Sequence, residues 1–112
     1  MHKVILVTGA AQRIGKEISK VFADDNWNVI IHYNNSADAA LELAKELNHN
    51  REGSAAIVQA NLDKDQDIER LINEASASYG QIDALINNAS SFYATPLSDI
   101  SNENWDNLMG SN

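Results

Sequence analysis

The chain has 112 residues, no cysteine and a formal net charge of −8, with 44% hydrophobic and 21% charged residues. That length allows one domain with a small core. The lack of cysteine excludes disulfides and thiolate metal sites, and the acidic balance argues against general nucleic-acid binding, which needs clustered Lys and Arg. There is neither an apolar run of a membrane span's length nor a signal-peptide pattern. We therefore expect a cytoplasmic protein with no membrane or nucleic-acid partner.

Strand-like and helix-like segments alternate along the chain. Short apolar runs predict four strands, at residues 3–8, 27–33, 55–60 and 82–87. Such runs, separated by helices of ten or more residues, are typical of parallel βαβ units. Right-handed crossovers then place helices on both faces of one sheet. The sequence therefore predicts a single doubly wound α/β domain over residues 1–112.

Apolar residues at helical spacing mark the segments between the strands. The first helix carries the stripe Ile14, Ile18, Val21 and Phe22. Ser36 is a predicted N-cap for the second helix, and Gly80 ends the third. Residues 88–96 are predicted to form a loop. A fourth helix is expected from about residue 101, with its inner face formed by Trp105, Leu108, Met109 and Asn112.

A glycine turn follows the first strand and opens the first helix. Its sequence is Thr8-Gly9-Ala10-Ala11-Gln12-Arg13-Ile14-Gly15. In this context Gly9 permits a tight turn, Gly15 lets the helix pack near the sheet, and helix N–H groups can face a pyrophosphate. The turn therefore predicts a dinucleotide site. A structural alternative for Thr8 is that it simply ends the strand.

The end of the second strand bears on the choice of dinucleotide. Enzymes that select NAD usually place Asp or Glu there to bind the ribose 2′-hydroxyl. This chain has His32-Tyr33-Asn34-Asn35-Ser36, with no carboxylate, and Arg13 stands in the turn. We therefore expect NADP, unless Arg13 only faces solvent. His32 is interpreted as a strand-end side chain rather than a catalytic one.

Two motifs together resemble the short-chain dehydrogenase/reductase family. They are the turn from Thr8 to Gly15 and Asn87-Asn88-Ala89 at the end of the fourth strand. The longer match through residues 32–36 and 87–97 resembles the pteridine reductase branch. The resemblance implies a Rossmann-type doubly wound parallel sheet of order 3-2-1-4, truncated after four strands and the start of the fourth helix.

The resemblance also implies which residues would bind NADPH. The turn and Arg13 would line the phosphates, and Asn34, Asn35 and Ser36 would lie near the 2′-phosphate. Asn61, followed by Leu62, would accept from the adenine amino group in place of the family's Asp. The implied cofactor residues are Thr8, Gly9, Arg13, Ile14, Gly15, Asn34, Asn35, Ser36, Asn61, Leu62, Asn87, Asn88 and Ala89.

By the same resemblance, Ser90 and Phe92 would hold a pterin, with the Phe92 ring stacked on its face. Asn112 would match the asparagine that fixes a water in the family's proton relay. Structural alternatives are that Phe92 fills the core and that Asn112 is a frayed terminus. The family's proton donor lies in a Tyr-x-x-x-Lys segment. None of the chain's three tyrosines has Lys four residues later.

We therefore expect the N-terminal part of an NADPH-dependent reductase, inactive and marginally folded alone, whose fourth strand is an exposed apolar edge. The intact protein would be a homotetramer that reduces a small molecule, with a pteridine as the first candidate. One alternative is a general 3-oxoacyl or carbonyl reductase of the same family. Another is a truncated, non-catalytic nucleotide-binding module.

Overall fold

A computed structural model describes residues 2–11 and 13–88, together with the backbone of 94–96. The elements alternate as the sequence predicts. In chain order they are β1 Val4–Val7, α1 Arg13–Asp24, β2 Asn28–Tyr33, α2 Ala37–Asn50, β3 Ala55–Gln59, α3 Asp65–Tyr79, β4 Ala84–Ile86 and β5 Ala94–Pro96.

The strands form one sheet in the order β3-β2-β1-β4-β5. The first four strands of that order are parallel, so the predicted order 3-2-1-4 is confirmed. Val7 at the end of β1 lies beside Ile31 of β2 and Ile86 of β4. The carboxyl ends of neighbouring strands therefore meet at one edge of the sheet, where ligands bind in doubly wound folds.

The prediction of a loop over residues 88–96 is wrong for its last three residues. β5 pairs antiparallel with β4, placing Pro96 beside Ala84 and Ala94 beside Ile86. The outer edge of β4 is therefore not left exposed, contrary to expectation. Three residues ending in proline carry too little periodicity to indicate a strand, but their backbone satisfies the hydrogen-bonding groups of an apolar strand.

Apolar side chains fill both faces of the sheet because parallel strands are covered on both sides. α3 packs on one face, where its core residues Ile68, Leu71 and Ala75 meet Leu6 and Ile30. α1 and α2 cover the other face. The side chains packed there include Ile5, Val7, Val29, Ile31, Leu43, Leu47, Ile18 and Phe22.

α1 approaches the sheet through small residues rather than through its whole apolar stripe. Its buried residues are Gly15 and Ser19, and the Ser19 hydroxyl donates to the Gly15 carbonyl at 2.8 Å. Ile14 and Val21 are 61% and 65% exposed. The predicted stripe is therefore only partly buried, because close packing at Gly15 and Ser19 turns Ile14 and Val21 outward.

The other predicted helix boundaries agree with the structure. Ser36 occupies the N-cap position of α2, although its side chain makes no capping hydrogen bond. Gly80 ends α3 in the left-handed conformation, with φ of 79°. Within the described part of the chain, no helix is long and apolar enough to cross a membrane.

Candidate cofactor site

The turn between β1 and α1 depends on backbone conformations that most residues avoid. Gly9 has φ of 61° and Arg13, at the start of α1, has φ of 55°. Both values lie in the left-handed region that favours glycine. Arg13 thus stands in a conformation that glycine would adopt without strain.

Gly15 lets the first turn of α1 lie directly against the strand ends. A Cβ atom at Gly15 would overlap the Gly9 carbonyl oxygen and lie 2.7 Å from Nδ2 of Asn88. The Asn88 amide donates to the same Gly9 carbonyl at 3.2 Å. The predicted roles of Gly9 and Gly15 in a tight turn with close helix packing are therefore consistent with the described geometry.

Thr8 and Asn87 lie beneath the turn rather than on its surface. Both are buried, and the Thr8 hydroxyl lies 3.2 Å from Oδ1 of Asn87. The Thr8 backbone N–H donates to the Ile86 carbonyl at 3.0 Å. These contacts join the ends of β1 and β4, so the side chains of Thr8 and Asn87 support the turn from below.

His32, near the end of β2, connects the turn to the neighbouring loop. Its Nδ1 accepts from the Gly9 N–H at 2.9 Å, and its Nε2 lies 2.9 Å from the Ala60 carbonyl oxygen. The His32 backbone carbonyl also accepts from the Ala10 N–H at 3.0 Å. Burial lowers the pKa of the His32 ring, and its hydrogen bond to Ala60 opposes this shift only in part.

The segment after β2 offers polar groups without a carboxylate. Asn34 and Asn35 are exposed and Ser36 is half-buried at the N-terminus of α2. Asn34 accepts from the Gln59 side-chain amide through both its backbone and side-chain oxygens, at 3.3 and 3.1 Å. The Ser36 hydroxyl caps none of the α2 N–H groups, which leaves them able to bind an anion, and the first turn of α2 carries one acid, Asp38.

The loop after β3 is organised by the carboxamide of Asn61 and the carboxylate of Asp67. Oδ1 of Asn61 accepts from the Asp63 N–H at 2.9 Å, and Oδ2 of Asp67 accepts from the Asn61 N–H at 2.8 Å. Leu62 packs against the core beneath α3. The acceptor oxygen expected to face adenine is thus already engaged within its own loop, although a second lone pair of that oxygen is available.

The structure brings most of the predicted cofactor residues to the carboxyl edge of the sheet. The turn, the end of β2, the 61–62 loop and residues 87–88 all lie there. Ile14 and Arg13 line an open apolar groove of about 640 Å³ whose floor includes Ile86. Four predicted residues lie outside the described part of the chain, namely Ala89, Ser90, Phe92 and Asn112.

Two residues of this edge were missed by reasoning from the sequence. His32 was correctly interpreted as a strand-end side chain, but its link between two loops was not predicted. The only signal is its position one residue before the end of β2. In the sequence, Asp67 looks like any other acidic residue in the first turn of a helix. Nothing there predicts that its carboxylate accepts a hydrogen bond from the Asn61 N–H.

The arrangement suits a nucleotide with a pyrophosphate better than a metal ion. The described residues include no group of three His, Asp or Glu side chains that could hold a metal. The turn passes through a left-handed glycine at Gly9 into the N-terminus of α1, where backbone N–H groups can face a phosphate, and Gly15 lets that helix pack closely against the strand ends. The residues present therefore fit a dinucleotide.

Comparisons with known proteins agree with this geometry. The family model described as short chain dehydrogenase matches residues 3–112. The 3-oxoacyl-(acyl-carrier-protein) reductase FabG of Staphylococcus epidermidis (strain RP62A) is 33% identical over 112 residues, which are 100% of this chain and 46% of that protein. The protein of the same name from Staphylococcus aureus (strain Mu50) is 31% identical over 112 residues, which are 100% of this chain and 45% of that protein.

Pteridine reductase 1 of Leishmania tarentolae is 38% identical over 111 residues, covering 84% of this chain and 38% of that protein. The chain thus spans less than half the length of these curated relatives. The family match covers nearly the whole chain and agrees with the parallel sheet of order 3-2-1-4. This protein therefore belongs to the short-chain dehydrogenase family, whose members are oxidoreductases that use nicotinamide cofactors.

Proposed function

We propose that this chain is the cofactor-binding part of an NADPH-dependent reductase acting on a carbonyl or imine-type C=N bond. The observation that carries the preference for NADPH is that the sequence has an arginine, Arg13, in the turn and no carboxylate at the end of β2. A 2′-phosphate at this edge would meet the Asn34 and Asn35 side chains, the Ser36 hydroxyl and the N-terminus of α2. No acidic side chain in residues 32–36 would repel it.

The described residues would bind and orient the cofactor, which supplies a hydride when bound. The turn amides and the first turn of α1 would bind the pyrophosphate. The 61–62 loop would lie beside the adenine, and Asn88 would fix the Gly9 carbonyl under the turn. We include Ala89 in the cofactor set, Ser90 and Phe92 as substrate contacts and Asn112 as a catalytic residue, by family resemblance alone.

A binding titration of NADPH against NADH, followed by intrinsic fluorescence, tests this proposal. Charge-assisted contacts to the 2′-phosphate predict a dissociation constant for NADPH that is lower by about tenfold or more. Adenosine 2′-phosphate and adenosine serve as a matched pair of fragments for the same comparison. Equal affinities for NADPH and NADH would contradict the assignment.

For the substrate we propose a pteridine first, because the 87–97 segment resembles pteridine reductases and a relative bears that name. The second candidate is a 3-oxoacyl substrate, favoured by the FabG-named relatives that cover the whole chain. Turnover of dihydropteridine and of a 3-oxoacyl thioester should be compared in a longer protein that joins this chain to a Tyr-x-x-x-Lys segment. Phe92→Ala should abolish pteridine turnover and spare the thioester if the first candidate is correct.

A further inference from the structure

The His32 ring joins two loops that come from different strands. On one side it accepts from Gly9 in the β1–α1 turn, and on the other it contacts Ala60 at the start of the β3–α3 loop. β2 lies between β1 and β3 in the sheet, so His32 is placed to reach both. The side chain is only 2% exposed, which leaves water little access to either hydrogen bond.

The two hydrogen-bond partners of His32 determine which ring nitrogen carries the proton. A backbone N–H such as that of Gly9 can only donate, so Nδ1 must carry no proton. The Ala60 carbonyl can only accept, so Nε2 must carry the proton. His32 is therefore a neutral ring in one defined tautomer, and both nitrogens are engaged.

We propose that His32 is a positioning residue for the dinucleotide, holding the glycine turn and the β3–α3 loop at a fixed separation. This inference rests on the proposed function, in which the pyrophosphate lies on the turn and the adenine lies beside the loop. The adenine and the pyrophosphate are parts of one molecule, so a single ligand must satisfy both loops at once. A link that fixes their separation before binding removes the cost of ordering them.

Two substitutions at His32 test the link. His32→Phe keeps a ring but removes both hydrogen bonds, whereas His32→Gln keeps one acceptor and one donor. We expect the NADPH dissociation constant to rise about tenfold in His32→Phe and to be largely restored in His32→Gln. Rescue by glutamine would show that the two polar contacts matter, rather than the volume of the ring.

Ser54→Ala is the matched control for lost stability. Ser54 is also buried and donates to a backbone carbonyl, that of Leu47 at 2.8 Å, but it precedes β3 at the opposite edge of the sheet. The control should lower the thermal midpoint and leave the NADPH dissociation constant unchanged. A loss of affinity in Ser54→Ala as large as that in His32→Phe would overturn the proposal.

Nuclear magnetic resonance on the wild-type protein provides a test that needs no variant. The His32 ring should show the Nε2-protonated tautomer and a scalar coupling between Nδ1 and the Gly9 amide nitrogen. Both signals should persist in the NADPH complex. Loss of the coupling on binding, or the other tautomer, would show that the link does not hold the bound site.

The outcomes separate this inference from the proposed function. A wild-type protein that binds no NADPH contradicts the proposed function, and the positioning role fails with it. If the wild type binds NADPH and His32→Phe binds it equally tightly, the positioning role of His32 is contradicted and the proposed function is not.

Discussion

At the scale of single residues, the turn between β1 and α1 contains two unstrained glycines and one strained arginine. Gly9 and Gly15 are glycines where the backbone requires them, the first for its positive φ and the second for its close contacts. Arg13 accepts a left-handed conformation that costs a non-glycine residue about 1 kcal/mol. A strained residue at a binding site suggests that its side chain is retained for a function.

Replacing Arg13 by glycine should therefore have two opposite effects. Arg13→Gly should raise the free energy of unfolding by up to about 1 kcal/mol, because the strain is relieved. The same change should reduce the preference for NADPH over NADH. Thermal unfolding and paired titrations measure the two effects.

Asn26→Gly is the matched control, since Asn26 also has a positive φ, of 68°, but follows α1 away from the carboxyl edge. It should raise stability less, because asparagine tolerates this conformation well. It should not alter cofactor preference. Unchanged preference in Arg13→Gly would exclude Arg13 from the 2′-phosphate site.

Gly15→Ala should destabilise the protein although alanine is the better helix former. Propensity alone would favour alanine by about 1 kcal/mol. The new Cβ would instead overlap the Gly9 carbonyl oxygen and crowd Cα of Ala10 at 2.9 Å, both of them backbone atoms. We expect a net loss of about 2 kcal/mol in urea unfolding. Glu17→Ala, at an exposed position of the same helix, should change stability little.

At the scale of elements, the loop before α3 is held by a charged side chain in addition to the packing of Leu62. The hydrogen bond from the Asn61 N–H is the main reason why the pKa of the Asp67 carboxyl lies below its ordinary value of 3.8. The positive charge of Arg70 nearby lowers this pKa further. Stability from Asp67 is therefore present above its ordinary pKa and is lost as the pH falls through its lower pKa in the folded state.

Asp67→Asn should remove this part of the pH dependence. We expect the variant to be less stable than the wild type near neutral pH and the difference to shrink under strongly acidic conditions. Urea unfolding followed by circular dichroism across the acidic range measures it. Glu69→Gln, an exposed neighbour on α3, makes the same change of charge. If it shows the same pH dependence, the effect comes from net charge and not from the loop.

The elements themselves could largely be predicted from the sequence, because buried parallel strands and capped helices leave strong local patterns. Four strands, three helices and the end of α3 at Gly80 were confirmed. β5 was missed because its pairing with β4 depends on the backbone and not on side-chain periodicity. The exposure of Val21 was missed because spacing alone does not show how closely α1 approaches the sheet at Ser19.

At the scale of the whole molecule, the proposed cofactor site consists of segments at strand ends that are far apart in the chain. Residues 8–11, 13–15, 32–36, 61–62 and 87–88 converge because the carboxyl ends of the parallel strands share one edge. The sequence predicted this convergence, since it follows from the topology. The sequence did not predict which groups face one another, such as His32 with Gly9 or Asn61 with Asp63, because those pairs depend on local geometry.

A ligand that contacts all these loops should stabilise the whole domain through linkage. NADPH at one hundred times its dissociation constant should add about 2.7 kcal/mol to the free energy of unfolding, which raises the thermal midpoint of a chain of this size by roughly 10 °C. NADH at the same concentration should give about half that shift if its affinity is tenfold lower. Arg13→Gly should reduce the difference between the shifts of the thermal midpoint that NADPH and NADH produce. Equal shifts from NADPH and NADH in the wild type would mean that the 2′-phosphate makes no favourable contact with this protein.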